Sequence, residues 1–379
     1  MPHATAKQRG LGGLVVAIFG VLVGCAPTAG PASTGTAPSA PVRVKTLVFA
    51  TDAEPTLVVT GMGDRRFQQL RDAVHQHLAA YDDRGEALPQ LALEIPTRVR
   101  GTWVIRPDGT MQTTYRLRPN VTWHDGAPLT AQDFIFGWTL TSDPALPIES
   151  KSSSTEIASI DSPDPSTLVI EWKGLYSQAN AIVNDDLGPF ASHLLKGPYE
   201  VDKQQMWNSP YWTTGFVGVG PFRLAEWRQG EQIRLEAYDG FFGGRPRIDQ
   251  ILIKFIPNQD TILANMLAGT VDKGIGKGGS KIQQQMYLKS EWERAGQKPS
   301  VFLSTSTFQH VWIQFREPAF PALTDLRIRK GLLLALDRQT LADALSDGLA
   351  PVAEAFLPPD DIRWDWVKDV VVKYPHDPR

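Results

Sequence analysis

An α/β fold is predicted by three patterns in the chain. Residues 111–118 alternate strictly, with Met111, Thr113, Tyr115 and Leu117 on one face and Gln112, Thr114, Arg116 and Arg118 on the other. That is the period of a half-buried strand. Phe67, Leu70, Val74 and Leu78 recur at three- and four-residue spacing, giving one apolar face to a helix over residues 67–78. A longer helical pattern over residues 326–345 follows Asp325. Strands and helices mixed in this way argue for α/β or α+β domains.

Taken in order, residues 46–51 (TLVFAT) are a β-rich run expected to be buried. The first helix is followed by Tyr81-Asp82-Asp83-Arg84-Gly85, which reads as a turn. After the strand that ends at Arg118, Trp123 packs and Asp125-Gly126 makes a turn in which glycine tolerates positive φ. Thr130 then caps a helix, with Asp133 three positions on favouring its positive end. Phe134 and Trp138, four apart, face the core together. Residues 161–165 (DSPDP) have turn chemistry, and further strand-like runs cover residues 167–172, 232–237 and 250–255. No repeat period is present.

Composition narrows the function classes. Apolar residues make up 42%, charged residues 21%, and the formal net charge is −3. This is the balance of a globular protein without a basic field for nucleic acid. One cysteine in the chain leaves no intramolecular disulfide and no thiolate metal cluster. The supply of 11 Trp, 8 Tyr and 16 Phe is generous, with core packing as its default use.

That cysteine, Cys25, closes an apolar run over residues 11–24 that is preceded by Lys7 and Arg9. A basic start, a short apolar stretch and small residues make a secretory signal, and the run is shorter than the usual membrane span of about 20 residues. Leu22-Val23-Gly24-Cys25 resembles the lipobox of bacterial lipoproteins, in which the cysteine becomes the lipidated first residue of the mature protein. The alternative is a small buried cysteine at the end of an anchor helix. Residues 26–41 (APTAGPASTGTAPSAP) carry no charge and no large apolar side chain, so they cannot bury enough surface to offset ordering and are expected to act as a flexible tether. The globular part begins near Val42.

The densest motif is residues 115–138, YRLRPNVTWHDGAPLTAQDFIFGW. It resembles the hallmark of the extracellular solute-binding proteins of family 5, which serve peptide, nickel and related ABC importers. Three more blocks resemble that family in the expected order. Glu86-Ala87-Leu88-Pro89-Gln90-Leu91-Ala92 comes before the hallmark. Gly218-Val219-Gly220-Pro221-Phe222 comes after it, with Trp227 and then YDGFFGGRP over residues 238–246, where Phe242 stands in place of the family's tryptophan. Last is Asp325-Leu326-Arg327-Ile328-Arg329, running to Ala335-Leu336-Asp337-Arg338.

The resemblance implies a bilobal periplasmic-binding-protein-like clamshell of type II with an extra inserted domain. Lobe I comprises residues 42–66 plus 175–267, the inserted domain residues 67–174, and lobe II begins at residue 268. Arg379 follows Tyr374-Pro375-His376-Asp377-Pro378, a segment that resembles mid-domain family sequence, so lobe II is expected to be incomplete. Trp123, Asp125, Gly126, Asp133, Gly220, Pro221, Asp325 and Arg329 are implied to be structural. Some peptide-binding members place an acidic residue after the first strand. Glu54 is the candidate here, with a solvated loop glutamate as the other reading. A strand over residues 311–316 would bury Val311, Ile313 and Phe315 and turn Trp312 and Gln314 toward the cleft or toward a second packing face.

The implied function is capture of a solute, oligopeptide foremost, by an exported lipoprotein. It would be tethered to the outer face of the cytoplasmic membrane or held in the periplasm, and would deliver its solute to an ABC permease without chemistry or cofactor of its own. The alternatives are an exported hydrolase using carboxylates and a non-functional fragment. Other motifs lead nowhere. Residues 269–275 lack the Lys-Ser/Thr of a phosphate loop, and residues 276–280 read as a mobile loop. His75 and His77, two apart on the expected helix, point to different faces and make a poor metal pair. Adjacent His124 and Asp125 at a turn are poorly placed for a catalytic dyad.

Overall fold

The computed structural model describes residues 44–56, 67–82, 85–148, 152–182, 187–275, 282–299, 312–317, 320–346, 348–357, 359 and 363–377. Cys25, the tether, the glycine cluster at 276–280 and Val311 lie outside them. The first strand, β1 (Thr46–Thr51), is buried only at its end, at Ala50 and Thr51. Helix α1 (Gln68–Val74) buries Leu70 and Val74, as its spacing predicts. It stops short of the expected end, because His75 turns extended (φ −140, ψ 157). Pairing with the chain ahead overrides helical propensity there. Leu91 N–H donates to His77 O at 3.0 Å, and Gln90 N–H to Leu78 O at 2.9 Å. Leu78 is still fully buried, now on the approach to a hairpin of β2 (Ala79–Tyr81) and β3 (Ala87–Pro89).

Strands β4 (Trp103–Ile105) and β5 (Met111–Arg116) lead to helices α2 (Ala131–Ser142) and α3 (Ser152–Glu156). Strands β6 (Ile157–Asp164) and β7 (Thr167–Trp172) complete an antiparallel sheet of order β4-β5-β7-β6. The face of β5 read from alternation is the buried one, carrying Met111, Thr113 and Tyr115. Its polar atoms are partnered, as burial requires. Tyr115 Oη donates to Ala179 O at 2.9 Å, and the Trp172 indole N–H to Thr113 Oγ1 at 2.9 Å. The turn expected over residues 161–165 is narrower. β6 runs through a bulge to Asp164, and that carboxylate accepts from Ser166 N–H at 2.8 Å.

Helix α4 (Ser192–Val201) packs beside α2, and α5 (Lys203–Trp207) packs on α4. Strands β8 (Phe222–Arg228), β9 (Gln232–Ala237) and β10 (Gln250–Phe255) then form an antiparallel ladder. β1 joins β10 in parallel, with Thr46 opposite Gln250. Helix α6 (Gln259–Leu267) provides the crossover that a parallel neighbour needs, and β11 (Lys273–Ile275) pairs in parallel with the other edge of β1. The sheet order is β11-β1-β10-β9-β8. Residues 273–275, which the sequence reading places in lobe II, thus pair into the same sheet as β1. One face of the sheet enters the main core through Ile233, Leu235, Ile251 and Ile253, while Ala50 packs with Ile262 and Val271 on the other.

Beyond β11 lie α7 (Ile282–Arg294), α8 (Leu326–Ala335), α9 (Arg338–Ser346) and α10 (Trp364–Val367). The single helix expected over residues 326–345 is two, broken at Leu336 and Asp337. Asp337 starts the second by accepting from Thr340 N–H at 3.0 Å and from Thr340 Oγ1 at 2.7 Å. Residues 312–317 form no strand, and Phe315, expected inside, is 59% exposed. α8 buries none of its side chains, and Phe320, Phe356 and Trp366 stand in solvent.

Candidate functional site

Two of the sequence blocks, the hallmark and the one that runs from Gly218 through residues 238–246, meet at one junction between the two larger sheets. Trp123 is fully buried at its centre. Its indole N–H donates to Asp133 Oδ2 at 3.4 Å, and the same oxygen accepts from Thr130 N–H at 2.8 Å at the start of α2. Asp133 Oδ1 accepts from Ser192 N–H at 3.1 Å and from Ser192 Oγ at 2.7 Å. A buried carboxylate is tolerable only when its lone pairs are filled in this way. Asp133 thus ties the hallmark turn, α2 and α4 together. Gly126, at φ 90, makes the turn that returns Ala127 O to Trp123 N–H at 2.8 Å.

His124 and Asp125 part company, as their placement at a turn predicts. Asp125 Oδ2 meets His193 Nε2 at 2.8 Å. Burial works to raise the Asp125 pKa, but the bonds from His193 and Ala127 N–H prevail and hold it below the usual carboxylate range. His124 turns instead to the Gly218-Val219-Gly220 block. Its backbone N–H donates to Gly218 O at 2.9 Å, and Gly218 N–H donates to the ring Nδ1 at 3.2 Å. Nδ1 is therefore the acceptor nitrogen, and Nε2–H donates to Gly220 O at 3.0 Å. Burial pushes the imidazole down to about 4, against the opposing bond to Gly220. Gly220 N–H in turn donates to Val74 O at 2.9 Å, and a Cβ at Gly220 would land on the backbone of Val74 and His75. The later part of the same block closes the junction through Tyr238, whose hydroxyl donates to Trp123 O at 2.9 Å. Adjacent residues spanning a turn gave no sequence signal for the His124 contacts; the glycines opposite were the available clue.

The histidine pair behaves differently from expectation. With the helix ended at Val74, His75 and His77 lie in extended backbone, where residues two apart share a face. Their rings meet edge-on with centroids 5.8 Å apart. Burial first, and neighbouring positive charge second, keep His75 well below 6.5. Among the described residues no group of three or more His, Cys, Asp or Glu is arranged to hold a metal.

The candidates for solute contact lie elsewhere. Glu54 is half-buried, and both of its carboxylate oxygens are held. Trp227 donates its indole N–H to Oε1 at 2.7 Å, and Gly230 N–H donates to Oε2 at 2.9 Å. Gln314 lies with Ile313, Phe315 and Arg316 along a shallow, open hollow. Its Oε1 accepts from Arg316 N–H at 2.8 Å. Trp312 is 76% exposed next to it. The Arg329 guanidinium stacks 5.0 Å from the Phe315 ring and donates to Leu323 O and Thr324 O. Asp325 caps α8 through Arg327 N–H at 2.8 Å. Both hallmark residues of this last block brace the start of the helix.

The profile described as "Bacterial extracellular solute-binding proteins, family 5 Middle" matches residues 95–378. The chain belongs to this family of solute-binding proteins, which disfavours the hydrolase alternative. The oligopeptide-binding protein AppA of Bacillus subtilis is 25% identical over 268 residues, covering 70% of this chain and 46% of the relative. A probable di/tripeptide-binding protein 5 of Pseudomonas aeruginosa is 23% identical, covering 89% of this chain and 63% of the relative. Among solved structures, AppA from Bacillus subtilis in complex with a nonapeptide superposes with a TM-score of 0.66 at 20% identity, covering 88% of this chain and 62% of that one. NikZ from Campylobacter jejuni in complex with Ni(L-His) gives 0.63 at 20% identity, covering 88% and 61%. The fold is that of periplasmic binding proteins, and the chain spans about half to somewhat under two thirds of the length of these relatives.

Proposed function

We propose that this chain captures a small solute, oligopeptide foremost, outside the cytoplasmic membrane and delivers it to the permease of an ABC importer. The observation that carries the reading is the family match across residues 95–378. The relatives named for oligopeptide and di- or tripeptide binding favour peptide as the solute class. Residues 42–66 with 175–267, extended to β11, form lobe I in this reading; residues 67–174 are the inserted domain, and residues from Gly276 onward belong to lobe II. Closure of the lobes on solute would select the closed population, with affinity set by the surface it buries. Trp312 and Gln314, beside the open hollow at 313–316, are the side chains proposed to face solute. Glu54 braces lobe I through Trp227 and Gly230. Cys25 is proposed as the lipidated anchor. Among the described residues no helix is long and apolar enough to cross a membrane.

The test is mass spectrometry of solute carried through purification of the full-length gene product, followed by calorimetry with a panel of short peptides. Saturable peptide binding supports the reading. Turnover on a hydrolase panel with no bound solute overturns it.

A further inference from the structure

The ring of His124 is used at both nitrogens by the backbone of a single glycine block. Gly218 N–H needs a lone pair on Nδ1, and Gly220 O needs a proton on Nε2. The two bonds are satisfied together only by the neutral ring carrying its proton on Nε2. A second proton would go to Nδ1 and set two N–H groups against each other. Gly220 is also the residue whose N–H holds Val74 O at the end of α1, and Phe222 just beyond it opens β8. The ring therefore clasps the hallmark turn, reached from the four-stranded sheet, to the entry of the five-stranded one.

The groups facing this clasp give a proton little support. From the α1 side comes His75, 3% exposed, with His77 and Arg71 behind it. From β8 comes Arg223, itself paired with Glu236 at 3.4 Å. From the chain after β9 comes Tyr238, whose ring lies 5.0 Å away edge-on. Asp125, on the same turn, is the one facing carboxylate named among these contacts, and it is engaged by His193. We infer that His124 is an acid-sensitive clasp, and that its protonation releases the Gly218–Gly220 segment from the hallmark turn and loosens the seam between the two sheets.

The direction follows from linkage. A histidine held neutral in the folded state contributes fully above its unfolded value of 6.5, and that contribution is lost as pH falls from 6.5 toward about 4. Amide hydrogen exchange on the full chain, corrected for intrinsic rate, reads the seam directly through peptides covering residues 216–222. Between pH 7.5 and pH 5.0 their protection should fall roughly 10- to 30-fold, the loss expected when the proton binds the open state at 6.5 and the closed state near 4. His124→Gln keeps an acceptor and a donor but cannot titrate, and should lose most of this pH response. His193→Gln, which alters the partly exposed pair with Asp125 and the ring contact with Trp123 but neither bond of the clasp, should keep it. No loss in the parent protein, an equal loss in His124→Gln, or abolition by His193→Gln would overturn the inference. If His124→Gln does not fold, nitrogen-15 spectra of the parent imidazoles decide. An acceptor-type Nδ1 and a midpoint below 5 are expected for His124, and a midpoint near 6.5 or the opposite tautomer rejects the clasp.

Discussion

Trp227 donates its indole N–H to Glu54 at 2.7 Å across 173 residues of sequence, and so fastens the segment after the first strand to the β8–β9 hairpin. With Gly230 N–H on the other oxygen, both carboxylate oxygens are already engaged. Hydrogen bonds to a charged group contribute about 1.5–3 kcal/mol each. Glu54→Ala is expected to lower stability by about 2 kcal/mol while peptide affinity holds, as read by denaturant midpoint and calorimetry. A drop in affinity at unchanged stability would return Glu54 to the solute site.

Trp123→Ala removes a fully buried indole and deletes one of the donors to Asp133. A loss of about 3–5 kcal/mol is expected, the range for Trp or Phe truncation in a core. Unfolding midpoints in urea measure it. An unchanged midpoint would mean that the junction is not braced by this ring.

Gly220→Ala tests close approach rather than conformation, because the added Cβ meets the backbone of Val74 and His75. Overpacking of this kind costs about 1–3 kcal/mol. The same substitution at Gly230, where nothing lies nearby but φ is 71, should act through backbone strain alone. Thermal melts of the two variants should differ in one respect: only Gly220→Ala should also speed exchange of the Val74–His75 region.

Asp143 closes α2 against α5 and α4. Lys203 Nζ lies 2.7 Å away and Tyr199 Oη donates at 2.6 Å. The Lys203 bond first, then Tyr199, hold the carboxyl down to about 2 from 3.8. A depressed carboxylate stabilises above its unfolded value and loses that contribution as pH falls toward the folded one. Asp143→Asn should therefore be less stable than the parent at pH 7, and the gap should narrow between about pH 4 and pH 2. A gap that does not change with pH would show that the charge contributes nothing.

Cys25→Ser is expected to release the protein from membranes without altering its fold, given the Leu22-Val23-Gly24-Cys25 sequence and the uncharged segment over residues 26–41 proposed as a tether. Alkaline extraction separates the outcomes, and equal retention of the mutant would reject lipidation.

Periodicity made the strands legible where one face met a core. β5 reads directly from Met111, Thr113 and Tyr115 because strict alternation has no helical reading. The same logic misplaced His75 and His77. An apolar stripe through Leu78 fits both a helix and a turn into a hairpin, and only the partners at Gln90 and Leu91 decide between them. Asp337 hid a second helix start inside one long apolar pattern. β11 was missed because Lys273, Gly274 and Ile275 carry no alternation, and the strand exists by pairing with β1. In the candidate site, Trp123, Asp133 and Gly126 were legible through capping and turn chemistry. The role of His124 was not, since its partners lie 94 and 96 residues away.

The parallel pairing of β1 also sets a timetable. Thr46 and its partner Gln250 are 204 residues apart, and Val48 bonds with Asp272 across 224. Closing so long a loop is costly and slow before any contact rewards it. The β4–β5 and β6–β7 neighbours, by contrast, are joined by short turns. Pulse-labelled exchange should find β5 and β7 protected before β1, and simultaneous protection would contradict this order. On the exported reading proposed above, the amino-terminal strand stays without a partner until about 230 residues of chain have followed the signal, which keeps the polypeptide threadable for most of its passage.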